Sequence, residues 1–264
     1  MKRHQPPDYA LLDRPDVLMR LFHPRAETGY AGHESGRDLL VSVEKDTVVG
    51  TRFFEAGSTA GTILFFHGNG EIVADYHDLG PIYVQMGINF LPVDYRGYGR
   101  SSGKPSVSAM MADAHVLFDF TKKFLADEGY SGPLVVMGRS LGSASALELA
   151  STYPNDIDGL IIESGFAYAA PLLRLLGIDP FHLGFDEDKG FRNINKIRVF
   201  NKPTLIIHAE HDHIIPFNDG QALYDHSGAD DKTLLKIMGA NHNDIFIRGL
   251  NECMAAVGRF MSAL

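Results

Sequence analysis

Nothing in this sequence can staple the chain covalently. It holds one cysteine, Cys253, so no disulfide can form within it, and its cysteine usage gives no sign of an oxidising compartment. Cys253 sits in an apolar helical pattern and reads as a small buried hydrophobe. Positive charge is scarce as well. The 24 lysines and arginines are outnumbered by 33 acidic residues, for a formal net charge of −9. A nucleic-acid partner would call for clustered basic residues and is not expected. Long apolar runs are also missing, and no stretch approaches the roughly 20 residues a spanning helix needs. The basic start "MKRHQPPDYALLDRPDVLMR" lacks the apolar core of a secretory signal. The expectation is a soluble, cytoplasmic protein with no integral membrane segment. There is no internal repeat and no low-complexity tract, and nothing specifies an oligomeric state.

What is present is ordinary globular composition, with 45% apolar and 22% charged residues. A chain of 264 residues buries a large core unaided and fits one α/β domain over 1–264. The first forty residues, rich in Pro, Asp, Arg and Gly, are expected to wrap the surface. "DLLVSVEKDTVVGTRFFEAG" reads as a β-hairpin with a polar break near Glu44 to Asp46. Beyond it, short apolar runs alternate with amphipathic ones. "TILFFHG", "INFLPVDYRG", "PLVVMGRS", "GLIIES", "PTLIIHAE" and "TLLKIMGA" read as strands buried on both faces. Residues 72–86, 107–128, 141–153, 219–227 and 244–261 carry helical spacing. This alternation predicts a mostly parallel central sheet with helices on both faces and the hairpin at one edge. One connection, 165–202, is too long for a plain loop. It holds two short apolar helical patterns and is expected to form a helical cap inserted in the domain.

The chemistry starts at "VVMGRSLGSASALELA". A strand runs into G-x-S-x-G, and a helix follows. Such a sharp turn strains its middle residue, and Gly138 and Gly142 let it close because neither has a Cβ. The Ser140 hydroxyl is then exposed above the strand end, at the helix N-terminus. A helix-capping serine is the plainer reading of the motif alone. A nucleophilic serine also needs a base, and the base needs an acid to orient it. Asp212 follows the strand "PTLIIHAE", and His242 follows "TLLKIMGA". Ser140, Asp212 and His242 thus come in the order, and at the strand ends, that a triad requires. The oxyanion needs backbone donors. Leu141 N–H supplies one at the helix start. In "LFFHGNGE" the second falls to Asn69 or Gly70, with Asn69 favoured.

Together, "FFHGNGE", "VDYRGYGRSSGKPS", "VMGRSLGS", "PTLIIHAEHDHIIP" and "GANHND" resemble the α/β-hydrolase superfamily. They are similar to its alpha/beta hydrolase domain-containing subgroup, of the prolyl-aminopeptidase-like or palmitoyl-thioesterase-like kind. The resemblance runs from about residue 39 to the end of the sequence. It implies Ser140 as nucleophile, Asp212 as acid, His242 as base, and the Asn69 and Leu141 amides as oxyanion hole. It also implies that Asp94, Tyr95 and Arg96 brace the site. Glu163 sits where some hydrolases carry an alternative acid and reads as a site-wall group. Arg139 has no chemistry that its position in the sequence reveals. Membrane-associated relatives carry an anchor or a cysteine-rich segment that this sequence does not show, so depalmitoylation is not carried over.

Rival readings are weaker. "HAEHDH" brings His208, His211 and His213 close in sequence, but strand alternation separates His208 from the other two, so a zinc site is not expected. "GYGRSSG" has one residue too many for a dinucleotide fingerprint. A non-catalytic binding protein on the same scaffold would normally have lost a triad member. The expected activity is therefore a cofactor-free, metal-free serine hydrolase acting on a small-molecule ester or thioester. An amidase of the same fold is the alternative. The cap residues Phe166, Tyr168 and Leu172, together with Leu173, Leu175, Leu176, Phe181 and Phe185, are candidates for an apolar substrate group or for simply holding the cap in place.

Overall fold

A computed structural model describes residues 8–28 and 35–264. Eight strands form one sheet: β1 (Arg37–Glu44), β2 (Thr47–Phe53), β3 (Thr62–Phe66), β4 (Asn89–Val93), β5 (Leu134–Arg139), β6 (Gly159–Glu163), β7 (Thr204–Ala209) and β8 (Lys232–Ile237). Their spatial order is β1-β2-β4-β3-β5-β6-β7-β8. The β1–β2 hairpin joins β4 antiparallel, and the remaining pairings are parallel. The central strands are buried on both faces, and their side chains alternate between two cores. Leu64, Phe66, Val136, Leu160 and Ile162 pack in one core, and Ile63, Phe65, Val135, Met137 and Ile161 in the other. β8, the last strand of the sheet, is largely half-exposed rather than buried on both faces.

The helices are α1 (Pro15–Leu21), α2 (Leu79–Gln85), α3 (Val107–Asp127), α4 (Gly142–Thr152), α5 (Ala169–Leu175), α6 (Pro180–Leu183), α7 (Asn193–Val199), α8 (Phe217–His226) and α9 (Ile245–Ser262). One core holds buried residues of α1, α3, α4, α7 and α8, and the other holds those of α2 and α9. The helix expected over 72–86 is in fact two pieces, a 3₁₀ turn at Val73–Tyr76 and then α2. Pro81 explains the break: its ring nitrogen cannot donate to the His77 carbonyl, and its ring would crowd that carbonyl. α9 bends at Gly249, whose φ of −125° and ψ of 19° are not helical. The 165–202 connection carries three short helices, α5 to α7, where the sequence pattern suggested two. The N-terminal segment is more than a surface wrap, since Leu12, Val17, Leu21 and Phe22 are buried in the first core.

The strand order positions the site. After β3 the chain steps outward to β4, then returns past β3 to lay down β5 and continues the other way. Ligands in open α/β sheets bind where the winding reverses, at the carboxyl ends of the strands. Here that crevice lies between β3 and β5. Phe66 pairs with Gly138, so the loop after Phe66 sits beside Ser140.

Candidate active site

Ser140 stands between β5 and α4 with φ of 50°, the left-handed region that non-glycine residues avoid. The surrounding backbone holds it there. Its N–H donates to the Glu163 carbonyl at 2.9 Å, and its own carbonyl accepts from the Ser143 hydroxyl at 2.6 Å. The flanking glycines are required by space. A Cβ on Gly138 would lie 2.3 Å from the Gly142 carbonyl oxygen, and one on Gly142 would lie 2.1 Å from that of Phe66.

Three side chains that are distant in sequence meet here. His242 Nε2 is 3.0 Å from Ser140 Oγ, and His242 Nδ1 is 2.7 Å from Asp212 Oδ2. All three residues are buried, with Ser140 9% exposed at the cavity surface. Asp212 Oδ1 accepts from the N–H groups of Ile214 and Ile215 at 3.0 and 2.8 Å. Burial opposes the Asp212 charge, but the His242 contact and the Ile215 amide outweigh it and hold the carboxyl below its ordinary value. His208 lies nearby on β7 and turns Nε2 to the Ile215 carbonyl at 2.8 Å; burial pushes its basicity down. His211, in the turn after β7, faces solvent.

The loop after β3 is braced from several sides. Buried His67 packs edge-on against Tyr95 and bonds the Gly68 carbonyl through Nδ1 at 2.8 Å. Tyr95 donates to the His67 carbonyl at 2.6 Å, and Asp94 accepts from Val73 N–H at 2.9 Å. Arg96 bridges both oxygens of Asp113 at 2.7 Å. Tyr95 and Asp94 therefore brace the connection after β3, whereas Arg96 ties its own loop to Asp113 on α3 and Glu44 on β1. Gly70 N–H faces the Tyr98 hydroxyl.

Arg139 acquires a place here that its sequence position did not reveal. It is buried at the end of β5 and donates to Glu71 at 2.8 Å, to Glu163 at 2.9 Å and to the His242 carbonyl at 3.0 Å. Glu71 in turn accepts from Gly68 N–H at 2.7 Å and from the Tyr76 hydroxyl at 2.6 Å. One guanidinium thus ties the His242 loop to the loop after β3. Burial pushes the Glu163 carboxyl up to about 7 against the pull of Arg139. At Glu71 burial also pushes upward, but Arg139 and the Tyr76 hydroxyl prevail and bring it down to about 2. Glu163 pairs with Arg139, and Asp212 rather than Glu163 holds His242. Glu163 is also absent from the lining of the cavity beside Ser140, so it is not the site-wall group expected.

A cavity of about 300 Å³ opens beside Ser140, lined in part by Leu21, His23, Asn69, Leu172, Leu175, Leu176 and Ile214. Leu172 was expected there. Phe166 and Tyr168 were also expected and are not part of this lining. They line a separate recess of about 160 Å³, which shares Leu172, Leu175 and Ile214 as its wall with the cavity. Phe166 is held away because its carbonyl accepts from Asn193 and its ring packs edge-on against Phe191. Leu173 belongs to the core, and Phe181 is 86% exposed. The cap's apolar residues thus divide between lining and anchoring. Leu21 and His23 carried no sequence signal for the site, because the segment that presents them reaches it only through tertiary packing.

The alpha/beta hydrolase domain-containing protein 17B of Homo sapiens is 30% identical over 85% of this chain and 76% of its own length. The chain belongs to the α/β-hydrolase superfamily. Residues 57–178 match the serine aminopeptidase S33 family. The lysophosphatidylserine lipase ABHD12 of Xenopus tropicalis is 35% identical over 61% of this chain and 45% of its own length, so this chain spans less than half of that relative. In three dimensions the hydrolase fold superposes on the Pyrococcus furiosus esterase Pf2001 with a TM-score of 0.73 at 18% identity, covering 91% of this chain and 98% of the esterase. Est1E from Butyrivibrio proteoclasticus superposes with a TM-score of 0.69 at 16% identity, over 87% of this chain and 98% of its own. No helix among the described residues is long and apolar enough to cross a membrane.

Proposed function

We propose that this protein cleaves a carboxylic ester or thioester by acyl transfer through Ser140, His242 and Asp212. The observation that carries this reading is the relay of contacts: His242 Nε2 at 3.0 Å from the serine oxygen, and Nδ1 at 2.7 Å from the carboxylate. His242 takes the Ser140 proton as Oγ attacks the carbonyl carbon. Asp212 accepts from Nδ1–H, which fixes the tautomer, and stabilises the imidazolium as it forms. The Leu141 and Asn69 N–H groups receive the developing oxyanion. His242 then passes its proton to the leaving alcohol or thiol as the tetrahedral intermediate collapses to an acyl-enzyme. Water repeats the cycle and releases the acid and free Ser140. These steps use only groups of the chain and water.

Two features favour esters over peptides. Esters and thioesters expel better leaving groups than amides. An aminopeptidase also needs a carboxylate to receive the substrate's ammonium group, and Glu71, the carboxylate in the cavity lining, is already engaged by Arg139, Gly68 and Tyr76. The relatives' printed names, a lipase and esterases, point the same way. The test is hydrolysis of p-nitrophenyl esters from acetate to palmitate by wild type and Ser140→Ala. The variant should lose at least about 10⁴-fold in kcat at unchanged melting temperature. Equal esterase activity in both proteins would refute the assignment.

A further inference from the structure

The lining of the cavity divides by chemistry. Leu172, Leu175, Leu176 and Ile214 offer a hydrocarbon wall, while His23, Asn69 and Asn243 offer polar groups. His23 comes from the stretch after α1, which the acyl-transfer steps do not use. Its hydrogen bonds fix which ring nitrogen carries the proton.

The Asn69 side chain decides the tautomer of the His23 ring. A backbone N–H can only donate, and His23 N–H approaches Asn69 Oδ1 at 3.0 Å. A backbone carbonyl can only accept, and that of Leu21 lies 2.7 Å from Asn69 Nδ2. The two ends of the amide are therefore assigned by partners that have no alternative role. The same Nδ2 lies 2.8 Å from His23 Nδ1. An amide nitrogen donates, so Nδ1 must accept and cannot carry hydrogen. The neutral ring then carries its proton on Nε2. Nε2 has no hydrogen-bond partner among the described residues, and the ring is exposed at the cavity rim. The neighbouring charged groups are committed elsewhere. Arg25 Nε bonds the Gly70 carbonyl and its Nη2 pairs with Asp75, while Arg139 and Glu71 bind each other.

We propose that His23 is a substrate-contacting residue whose Nε2–H donates to an oxygen on the alcohol side of the ester. The proposal rests on the acyl-transfer reading above. The acyl chain gains by packing on the leucines, so the oxygen-bearing part of the substrate belongs beside the donors. The substrate class this selects is an ester of an apolar acid with an alcohol that carries further oxygen acceptors, in preference to a plain alkyl ester. Asn69 orients the ring and also carries the proposed oxyanion amide, so His23's donor and the reacting carbonyl are positioned by one residue.

The experiment compares 1-octanoylglycerol with propyl octanoate, which share an acyl group and a three-carbon alcohol and differ in two hydroxyls. Wild type, His23→Phe and His23→Gln are assayed on both, beside Ser140→Ala. The expected result for His23→Phe is a three- to tenfold loss of kcat/KM on the glyceryl ester, the worth of one hydrogen bond, with the propyl ester within twofold. His23→Gln, which keeps an N–H donor, should recover part of the loss. Equal losses on both esters would mean that His23 only braces Asn69, and no loss on either would mean that it touches nothing; either result overturns the proposal. Activity surviving in Ser140→Ala would instead overturn the acyl-transfer reading on which this one rests.

Discussion

The floor and the rim of the cavity are built by different means. The floor is backbone: β5 lies between β3 and β6 in register, and Ser140 is held by main-chain hydrogen bonds and by glycines whose missing side chains let carbonyls approach. The rim is side chains from two regions far apart in sequence. α1 and the residues after it contribute Leu21 and His23, and the cap contributes Leu172, Leu175 and Leu176. Those two regions are joined by Arg20, which donates to the Gly177 carbonyl at 2.7 Å and to that of Leu176 at 3.2 Å. A backbone floor admits few substitutions and fixes the reaction. A side-chain rim admits many and selects what enters.

The sharpest way to break that contrast is to add one methyl group to the floor. In Gly142→Ala the new Cβ would sit 2.1 Å from the Phe66 carbonyl oxygen and 2.7 Å from that of His67, both main-chain atoms that cannot rotate aside. The cost should reach about 3 kcal/mol or more, the upper end for overpacking. Denaturant unfolding measures it, and a variant with wild-type stability would show that the floor is softer than its geometry implies.

The buried Glu163 carboxyl gives the next largest effect, and it depends on pH. The folded Glu163 carboxyl sits at about 7, above its ordinary value of 4.5. A raised carboxyl means that the folded state binds the proton more tightly than the unfolded chain does. The stabilisation is therefore full below about pH 4.5 and is lost as pH rises through 7. Relative to Glu163→Gln, the wild type should lose on the order of 2–3 kcal/mol between pH 5 and pH 8. Glu71 and Asp212, both held low, lose their contributions only in acid, outside that window. Paired thermal melts across the range provide the measurement. A stability difference that stays flat with pH would mean that Arg139 keeps Glu163 ionised throughout.

The floor was largely legible in the sequence because its rules are local. G-x-S-x-G fixes a turn, a loop Asp or His after a strand fixes a position, and apolar runs fix which strands are central. The rim was not legible, because nothing in "PDVLMRLFH" records that this helix packs beside the strand ends. The same limit explains Arg139, whose three partners lie in three loops and strands. It also explains Phe166 and Tyr168, whose hydrophobicity marked them for a pocket but could not say which one. The break before α2 has a local cause in Pro81, but the apolar spacing continues on both sides of it, and that spacing reads as one helix.

The smallest effect should come from the rim. Leu172 is half-buried and stands with Leu175 and Ile214 in the wall between the 300 Å³ cavity and the 160 Å³ recess. Leu172→Ala removes part of that wall without unpairing any polar group, so its stability cost should stay near 1 kcal/mol, below the range for fully buried leucines. Opening the wall lets a longer acyl chain continue toward Phe166 and Tyr168. Each methylene that enters is worth about 0.8 kcal/mol, roughly fourfold in kcat/KM. On a p-nitrophenyl ester series the optimum should move to longer acids, while turnover of the acetate ester, which never reaches the wall, stays as it was. A uniform fall across the series would place Leu172 with the floor, as a support of the reacting groups. A shift confined to long chains would place it with the rim.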